Sequence, residues 1–241
     1  MIIGGLEKLS LLDYPDHLAA IIFTQGCNFR CHFCYNPMLV LPRKGEDEKN
    51  KKEKGFSPLS SEDLFLFLRE RYGRLDGVVI TGGEPTLHLD LPAFIKKIKK
   101  IGYDVKLDTN GTNPEMLTEL IEKKLIDYIA MDLKAPLDKY AETVGVKTSC
   151  NNLKKSVKII LKSGLPHEFR TTVVPGLLEK DDFQKMGALI KGADNWYLQA
   201  FKSDTELVNP DYRGHKAFSS RQMKEFAVLG AKVAGKCEIR E

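Results

Sequence analysis

The sequence predicts an α/β fold: a partial, open (β/α)6 TIM-like barrel with a cysteine-bearing loop directly after the first strand of the barrel. Short β-branched or apolar runs alternate with amphipathic stretches of helical period, the pattern of βα units on a parallel sheet. Six such units in 241 residues are too few to close an eight-stranded barrel, which typically takes about 250 residues without a long added loop. Ionisable residues also recur at the carboxyl ends of successive strands, where ligands of such folds collect.

The strands are expected at 19–24, 77–81, 104–108, 127–132, 168–174 and 196–201. Ser60 or Ser61 caps the first long helix, whose opening turn holds Glu62 and Asp63, favourably placed for the helix dipole. A second helix, 91–101, has Pro92 near its start, an apolar stripe of Phe94, Ile95, Ile98 and Ile101, and Gly102 as its stop. Its Lys96, Lys97, Lys99 and Lys100 read as a solvated outer face. Asn113-Pro114 supplies a cap and a first-turn proline for a helix that buries Met116, Leu117, Leu120 and Ile121. Further helices are expected at 152–163, ending at Gly164, and at 219–234, followed by a tail to 241. The stretch 43–55 has no apolar residue and mixes both charges, so a charged surface loop is expected there.

Hydrophobic content of 42% supports an ordinary core, and no internal repeat or second core divides the chain, so 1–241 reads as one domain. A formal net charge of +4, from 37 basic and 33 acidic residues, gives no electrostatic case for nucleic acid. The opening Met1-Ile-Ile-Gly-Gly-Leu-Glu lacks a secretion-signal pattern, and no apolar run approaches the ~20 residues that span a bilayer. A cytoplasmic protein without a membrane partner is expected. Five cysteines, three of them clustered, do not form a disulfide framework. Cys150 and Cys237 stand alone and are assigned no role.

The clustered three are Cys27, Cys31 and Cys34, in Gly-Cys-Asn-Phe-Arg-Cys-His-Phe-Cys-Tyr-Asn. Thiolates this close are soft ligands for an iron-sulfur cluster or zinc, and a four-iron cluster held by three cysteines exposes one iron to a small molecule. A site with an open position usually does chemistry. A structural zinc knuckle and a ferredoxin-type carrier both want four ligands, and no fourth cysteine lies nearby. His32 could complete a zinc site only by closing a tetrahedron from between two of the cysteines.

Other polar motifs stand at strand ends. The second strand runs into Thr81-Gly82-Gly83-Glu84-Pro85, in which two glycines permit close approach of a ligand and a carboxylate offers an acceptor to an ammonium, although the same residues can form a simple turn. The third ends in Leu107-Asp108-Thr109-Asn110-Gly111 and the fourth in Met131-Asp132-Leu133-Lys134. An Asp there can instead cap the next helix, and Lys134 can be a surface cation. Arg170 is the one charge in the apolar alternation 169–174 and needs an anionic partner, either a bound carboxylate or a neighbouring Asp.

The spacing of Cys27, Cys31 and Cys34 resembles the signature of the radical S-adenosylmethionine (SAM) superfamily, and from 9 to 201 the chain is similar to its glycyl-radical enzyme activating enzymes. The resemblance implies one [4Fe-4S] cluster on the three cysteines, with SAM chelating the open iron through its amino and carboxylate groups. One electron from the reduced cluster would then split SAM into methionine and a 5'-deoxyadenosyl radical. By the same resemblance Gly82, Gly83 and Glu84 hold the SAM amino group, Lys134 meets the SAM carboxylate, and Asp108 and Asp132 hold a monovalent cation beside it. Phe33 contacts adenine, Asn36 makes a polar SAM contact, and Arg170 completes the cofactor-binding set.

The segments Ser10-Leu-Leu-Asp-Tyr-Pro15 and Thr24-Gln-Gly-Cys27 are similar to activators of anaerobic ribonucleoside-triphosphate reductase. Tyr35 departs from the His common after the third cysteine. No His lies around Gln199 to Phe201, where pyruvate formate-lyase activators carry one. The expected function is therefore an activase that generates a glycyl radical on a large partner enzyme, with a flavodoxin or ferredoxin as reductant. The alternatives are a radical SAM enzyme acting on a small molecule, as 7-carboxy-7-deazaguanine synthase does, and a non-enzymatic iron-sulfur electron carrier.

Overall fold

The computed structural model describes residues 1–40 and 59–240, so the charged stretch 43–55 lies outside the described residues. Eight strands form one sheet in the order β1 to β8: Ile3–Ser10, Ala19–Thr24, Gly77–Gly82, Asp104–Thr109, Tyr128–Asp132, His167–Val173, Asn195–Ala200 and Cys237–Arg240. β1 runs antiparallel to β2, while β2–β3, β3–β4, β5–β6, β6–β7 and β7–β8 are parallel pairs. The sheet is open, with β1 and β8 as its edges. β2 to β7 are the six strands the sequence predicts. β3 has four consecutive buried residues and β2 is buried at five of its six positions, as expected for strands covered on both faces.

The two edge strands escaped the sequence reading for a physical reason. β1 carries Gly4 and Gly5, exposes Glu7 and Lys8, and pairs with β2 through register shifts, so no clean alternation survives. β8 has only four residues, two of them charged.

The helices follow their caps. Ser60 accepts from the Asp63 N–H at 3.0 Å and opens α1, Ser61–Glu70. α2, Leu91–Ile101, stops at Gly102, whose φ of 111° needs no Cβ. Asn113 Oδ1 accepts from the Met116 N–H at 3.1 Å, starting α3, Pro114–Glu122. α4, Cys150–Lys162, begins two residues before its expected start because Ser149 is the residue that caps it. After α5, Asp182–Leu189, a Ser219–Gln222 capping box opens α6, Ser220–Ala234.

The chain divides into two compact units: Met1–Asn28 with Met38–Asp108 and Thr118–Tyr128, and Phe29–Pro37 with Thr109–Leu117 and Ile129–Glu241. In the first, Tyr14, Ala19, Ile21, Val79 and Tyr128 form a core with Phe23 against it. In the second, Phe183 of α5 stacks on Phe226 of α6 at 4.5 Å, beside a fully buried Trp196 whose indole N–H donates to Thr171 Oγ1.

The register sets up the site. Thr24 pairs with Gly82, so the chain leaves β2 and β3 at the same level. Asp132, at the end of β5, pairs with Arg170 in the middle of β6. Replacing the α3 cap, Asn113→Ala, is expected to cost about 1 kcal/mol in urea denaturation.

Candidate active site

In the first unit, the segment before Cys27 is laced to the Gly-Gly-Glu turn. Gly83 N–H donates to Thr24 O at 2.8 Å, and Glu84 N–H to Gly26 O at 2.8 Å. A Cβ on Gly83 would stand 2.0 Å from Gly26 O, and Gly82 has φ 115° with Thr24 N 2.3 Å from where its Cβ would be. The close approach that the two glycines permit is thus between two stretches of backbone, and it fixes where the cysteine loop starts. Glu84 is buried, and its Oε1 accepts from both the backbone N–H and the hydroxyl of Thr86, capping a short 3-10 turn at Pro85–Leu87. The turn that the sequence offered as the simpler alternative is therefore present, with the carboxylate as part of it.

Asp108, also buried, has the Lys106 ammonium 3.2 Å from Oδ1. Lys106 has no exposed surface; its Nζ donates to Asp13 O at 2.6 Å and lies 5.6 Å from the Tyr128 ring centroid. Sequence reasoning missed Lys106. The available signal was strand alternation, which places residues two apart on β4 on one face.

In the second unit, Cys31 and Cys34 share a turn in which the Cys34 N–H donates to Cys31 O at 3.1 Å. A later segment braces this turn: Val208 N–H donates to Cys34 O at 2.9 Å and Asn209 N–H to His32 O at 3.2 Å. His32 Nε2 meets Glu142 O at 3.1 Å, and Nδ1 meets the Asn209 side-chain amide at 3.2 Å. A carbonyl only accepts, so the ring proton is on Nε2 and both nitrogens are engaged. His32 is thus a brace, and the zinc-ligand alternative loses its fourth donor.

Lys134 stands beside this turn, its Nζ 5.8 Å from the buried Phe33 ring centroid and 2.9 Å from Asp132 Oδ2. Arg170 Nε donates to Asp132 Oδ1 at 3.0 Å, so the neighbouring Asp is the anionic partner Arg170 needed. Burial alone would raise the Asp132 carboxyl, but Arg170 and Lys134 hold it well below the carboxylate range. Burial would likewise lower the Lys134 ammonium, yet Asp132 and the Cys31 sulfur keep it above its ordinary value. Lys134 is therefore a permanent cation. Burial pushes the Cys34 thiol up, against the pull of the Asn36 backbone N–H and of Lys134. Tyr140, fully buried, ties Asp132 O and Lys134 N together through its hydroxyl at 3.3 Å to each.

Among the described residues no group of three or more His, Cys, Asp or Glu side chains is arranged to hold a metal ion. The case for the three cysteines as a set comes from their spacing and from relatives. The radical SAM superfamily model matches residues 21–187. A chain of Methanocaldococcus jannaschii named as a glycyl-radical enzyme activating enzyme is 35% identical over 244 residues, covering 99% of this chain and 95% of that one. The chain belongs to the radical SAM superfamily.

Within the superfamily this radical SAM enzyme falls in the glycyl-radical enzyme activating branch. The pyruvate formate-lyase-activating enzyme of Streptococcus mutans is 26% identical, covering 80% of this chain and 73% of that enzyme. SuiB of Streptococcus suis, bound to its precursor peptide SuiA, shares the fold with TM-score 0.67 at 15% identity, covering 92% of this chain and 48% of SuiB. The radical SAM chain thus spans about half the length of SuiB. A domain of the Bacteroides vulgatus pyruvate-formate lyase-activating enzyme gives TM-score 0.56 at 16% identity, covering 69% of this chain and 99% of the domain.

Membership implies a [4Fe-4S] cluster and SAM, and the donor chemistry fits both. Two soft thiols share a braced turn, and a permanent cation stands against the aromatic between them. The remaining cysteines lie elsewhere: Cys150 Sγ donates to Leu137 O at 3.4 Å, and Cys237 is packed under Gly230, whose Cβ would meet its Sγ at 2.7 Å. Burial, with Glu238, pushes the Cys237 thiol up to about 12.

Two outcomes are expected. Lys106→Ala removes an ammonium from a buried carboxylate and should cost about 3–5 kcal/mol in urea denaturation. Cys237 should resist iodoacetamide at about pH 8 in the native protein and react once unfolded, read by peptide mass spectrometry.

Proposed function

We propose that the chain, acting as one radical SAM domain over 1–241, is an activase that generates a glycyl radical on a large partner enzyme, most specifically anaerobic ribonucleoside-triphosphate reductase. A flavodoxin or ferredoxin serves as reductant, and a cytoplasmic setting goes with both partners. The activase relatives support the class of substrate. The similarity of 10–15 and 24–27 to activators of that reductase, with no His at 199–201, supports the partner. Among the described residues no disulfide joins the cysteines, and no helix is long and apolar enough to cross a membrane.

In this reading Cys27, Cys31 and Cys34 ligate the cluster. When bound, the cluster and SAM together supply a low-potential electron and a carbon-centred radical that can take a hydrogen from a glycine Cα. The chain's own side chains bind and orient. Lys134 offers its ammonium to the SAM carboxylate, Glu84 accepts from the SAM amino group beside the Gly82-Gly83 turn, Phe33 lies against adenine, and Asn36 makes a polar contact. Asp132 and Arg170 hold Lys134 in place. A monovalent cation at Asp108 and Asp132 belongs to the same resemblance, but each carboxylate already has a protein cation beside it, so the reading does not depend on one.

The observation that carries the reading is the ion pair of Lys134 with Asp132, set beside Phe33 and held charged at every working pH. An ammonium there suits an anionic ligand.

The test is electron paramagnetic resonance on anaerobically reconstituted, reduced protein with and without SAM, followed by assay of 5'-deoxyadenosine and of the organic radical on the co-expressed reductase. A reduced four-iron signal that SAM alters, with deoxyadenosine and a glycyl doublet, is expected. Lys134→Met should retain the iron signal and lose the SAM response. A signal indifferent to SAM would overturn the reading; deoxyadenosine without a doublet would overturn the choice of partner.

A further inference from the structure

Two charged side chains of the second unit have no part in the reading above, and one of them, Glu168, has no exposed surface. A buried carboxylate is stable only with charged or hydrogen-bonding partners. Arg240 of β8 supplies them in a forked pair, Nη1 donating to Oε1 at 3.1 Å and Nη2 to Oε2 at 3.0 Å. Arg240 is itself fixed, its guanidinium carbon 3.7 Å from the Tyr197 ring centroid.

Glu168 also faces the site. Residues two apart on a strand share a face, so Glu168 and Arg170 project together from β6. Arg170 Nη1 lies 3.9 Å from Glu168 Oε1, while its Nε is the group that donates to Asp132 at 3.0 Å. Asp132 in turn holds Lys134 at 2.9 Å. Charges therefore alternate from Arg240 through Glu168, Arg170 and Asp132 to Lys134.

We propose that Arg240 is a positioning residue for SAM: by neutralising Glu168 it leaves the Arg170 guanidinium to Asp132, and so leaves Lys134 able to turn its ammonium to the SAM carboxylate. Without Arg240, the buried Glu168 draws Arg170 toward itself, Asp132 keeps only Lys134 of this chain of charges, and Lys134 is held back from the ligand. The inference rests on the reading of Lys134 as a SAM contact.

The experiment measures the SAM dissociation constant of the reconstituted holoenzyme by equilibrium dialysis, with iron content and thermal midpoint taken on the same samples. Arg240→Met should weaken SAM about tenfold, equivalent to ~1.4 kcal/mol, at unchanged iron content. Adding Glu168→Gln removes the charge left behind and should bring the constant back to within about threefold of wild type, and Arg240→Lys should fall between. A role in packing alone would lower the thermal midpoint of Arg240→Met without moving the SAM constant, and that result overturns the inference. Failure of Glu168→Gln to restore binding also overturns it. If Arg240→Met does not fold, near-wild-type SAM binding by the double variant is still expected, and a tenfold loss there refutes the proposal. A wild-type enzyme that loads iron and binds no SAM would instead bring down the reading of Lys134 on which the inference rests.

Discussion

The arrangement around the candidate site depends on one carboxylate that cannot be left alone. Asp132 sits at the end of a strand, three-quarters hidden, with only 27% of its side chain exposed. Ionised in such a place it is costly, and two cations compensate it, one from the middle of β6 and one from just beyond the end of β5. Arg170 reaches across from β6, and Lys134 folds back from the residue after next. Arg170 then needs company for its own charge, and Glu168 needs company for its charge, so the demand for neutralisation passes outward to β8. Parallel register sets Asp132 level with Arg170, whereas Arg240 is level with Gln199 and Thr172 and reaches Glu168 across that offset with its side chain. Register thus brings Asp132 and Arg170 together, and their ion pair in turn opposes slippage of β5 against β6.

A second constraint works through backbone rather than charge. Gly82 and Gly83 allow the turn after β3 to lie against Thr24–Gly26, with two hydrogen bonds across the contact. Any side chain at Gly83 would occupy the position of the Gly26 carbonyl. Since Cys27 follows directly, the geometry that starts the cysteine loop is set before any cysteine is reached.

Much of this was legible in the residues. Central strands announced themselves as apolar runs, and Asn113-Pro114 announced a helix start, because both depend on local chemistry. β1 and β8 did not, because an edge strand is specified by the neighbour it pairs with. The same division holds at the site. Cys27, Cys31, Cys34, Glu84, Asp108, Asp132 and Lys134 stand at strand ends or in loops, where a polar residue is conspicuous, and the need of Arg170 for an anion could be stated before its partner was known. Lys106, Glu168 and Arg240 lie within strands, where a charge reads as the solvent face of an edge or as noise. Only burial shows that Lys106 and Glu168 are interior, and the parity of Lys106 with Asp108, and of Glu168 with Arg170, was the signal available. Tyr140 gave none, since a buried tyrosine usually reads as core and its hydroxyl partners are backbone atoms.

The His32 brace shows why a cysteine loop of this kind needs structure from far along the chain. A turn closed by one backbone hydrogen bond leaves most of its residues free, and ordering each costs about 1–2 kcal/mol of conformational entropy. A ligand that had to supply that ordering would bind correspondingly more weakly. Here the cost is offset by contacts made on folding: Val208 and Asn209 hold the carbonyls of Cys34 and His32, the His32 ring is pinned at both nitrogens, and Tyr212 lies parallel to it at 5.4 Å. Those residues come after β7, more than a hundred and seventy positions beyond the cysteines (177 between His32 and Asn209). The segment carries its own capped 3-10 turn, Pro210–Tyr212, with Asn209 at its start. Its contacts brace the turn that presents Cys31 and Cys34.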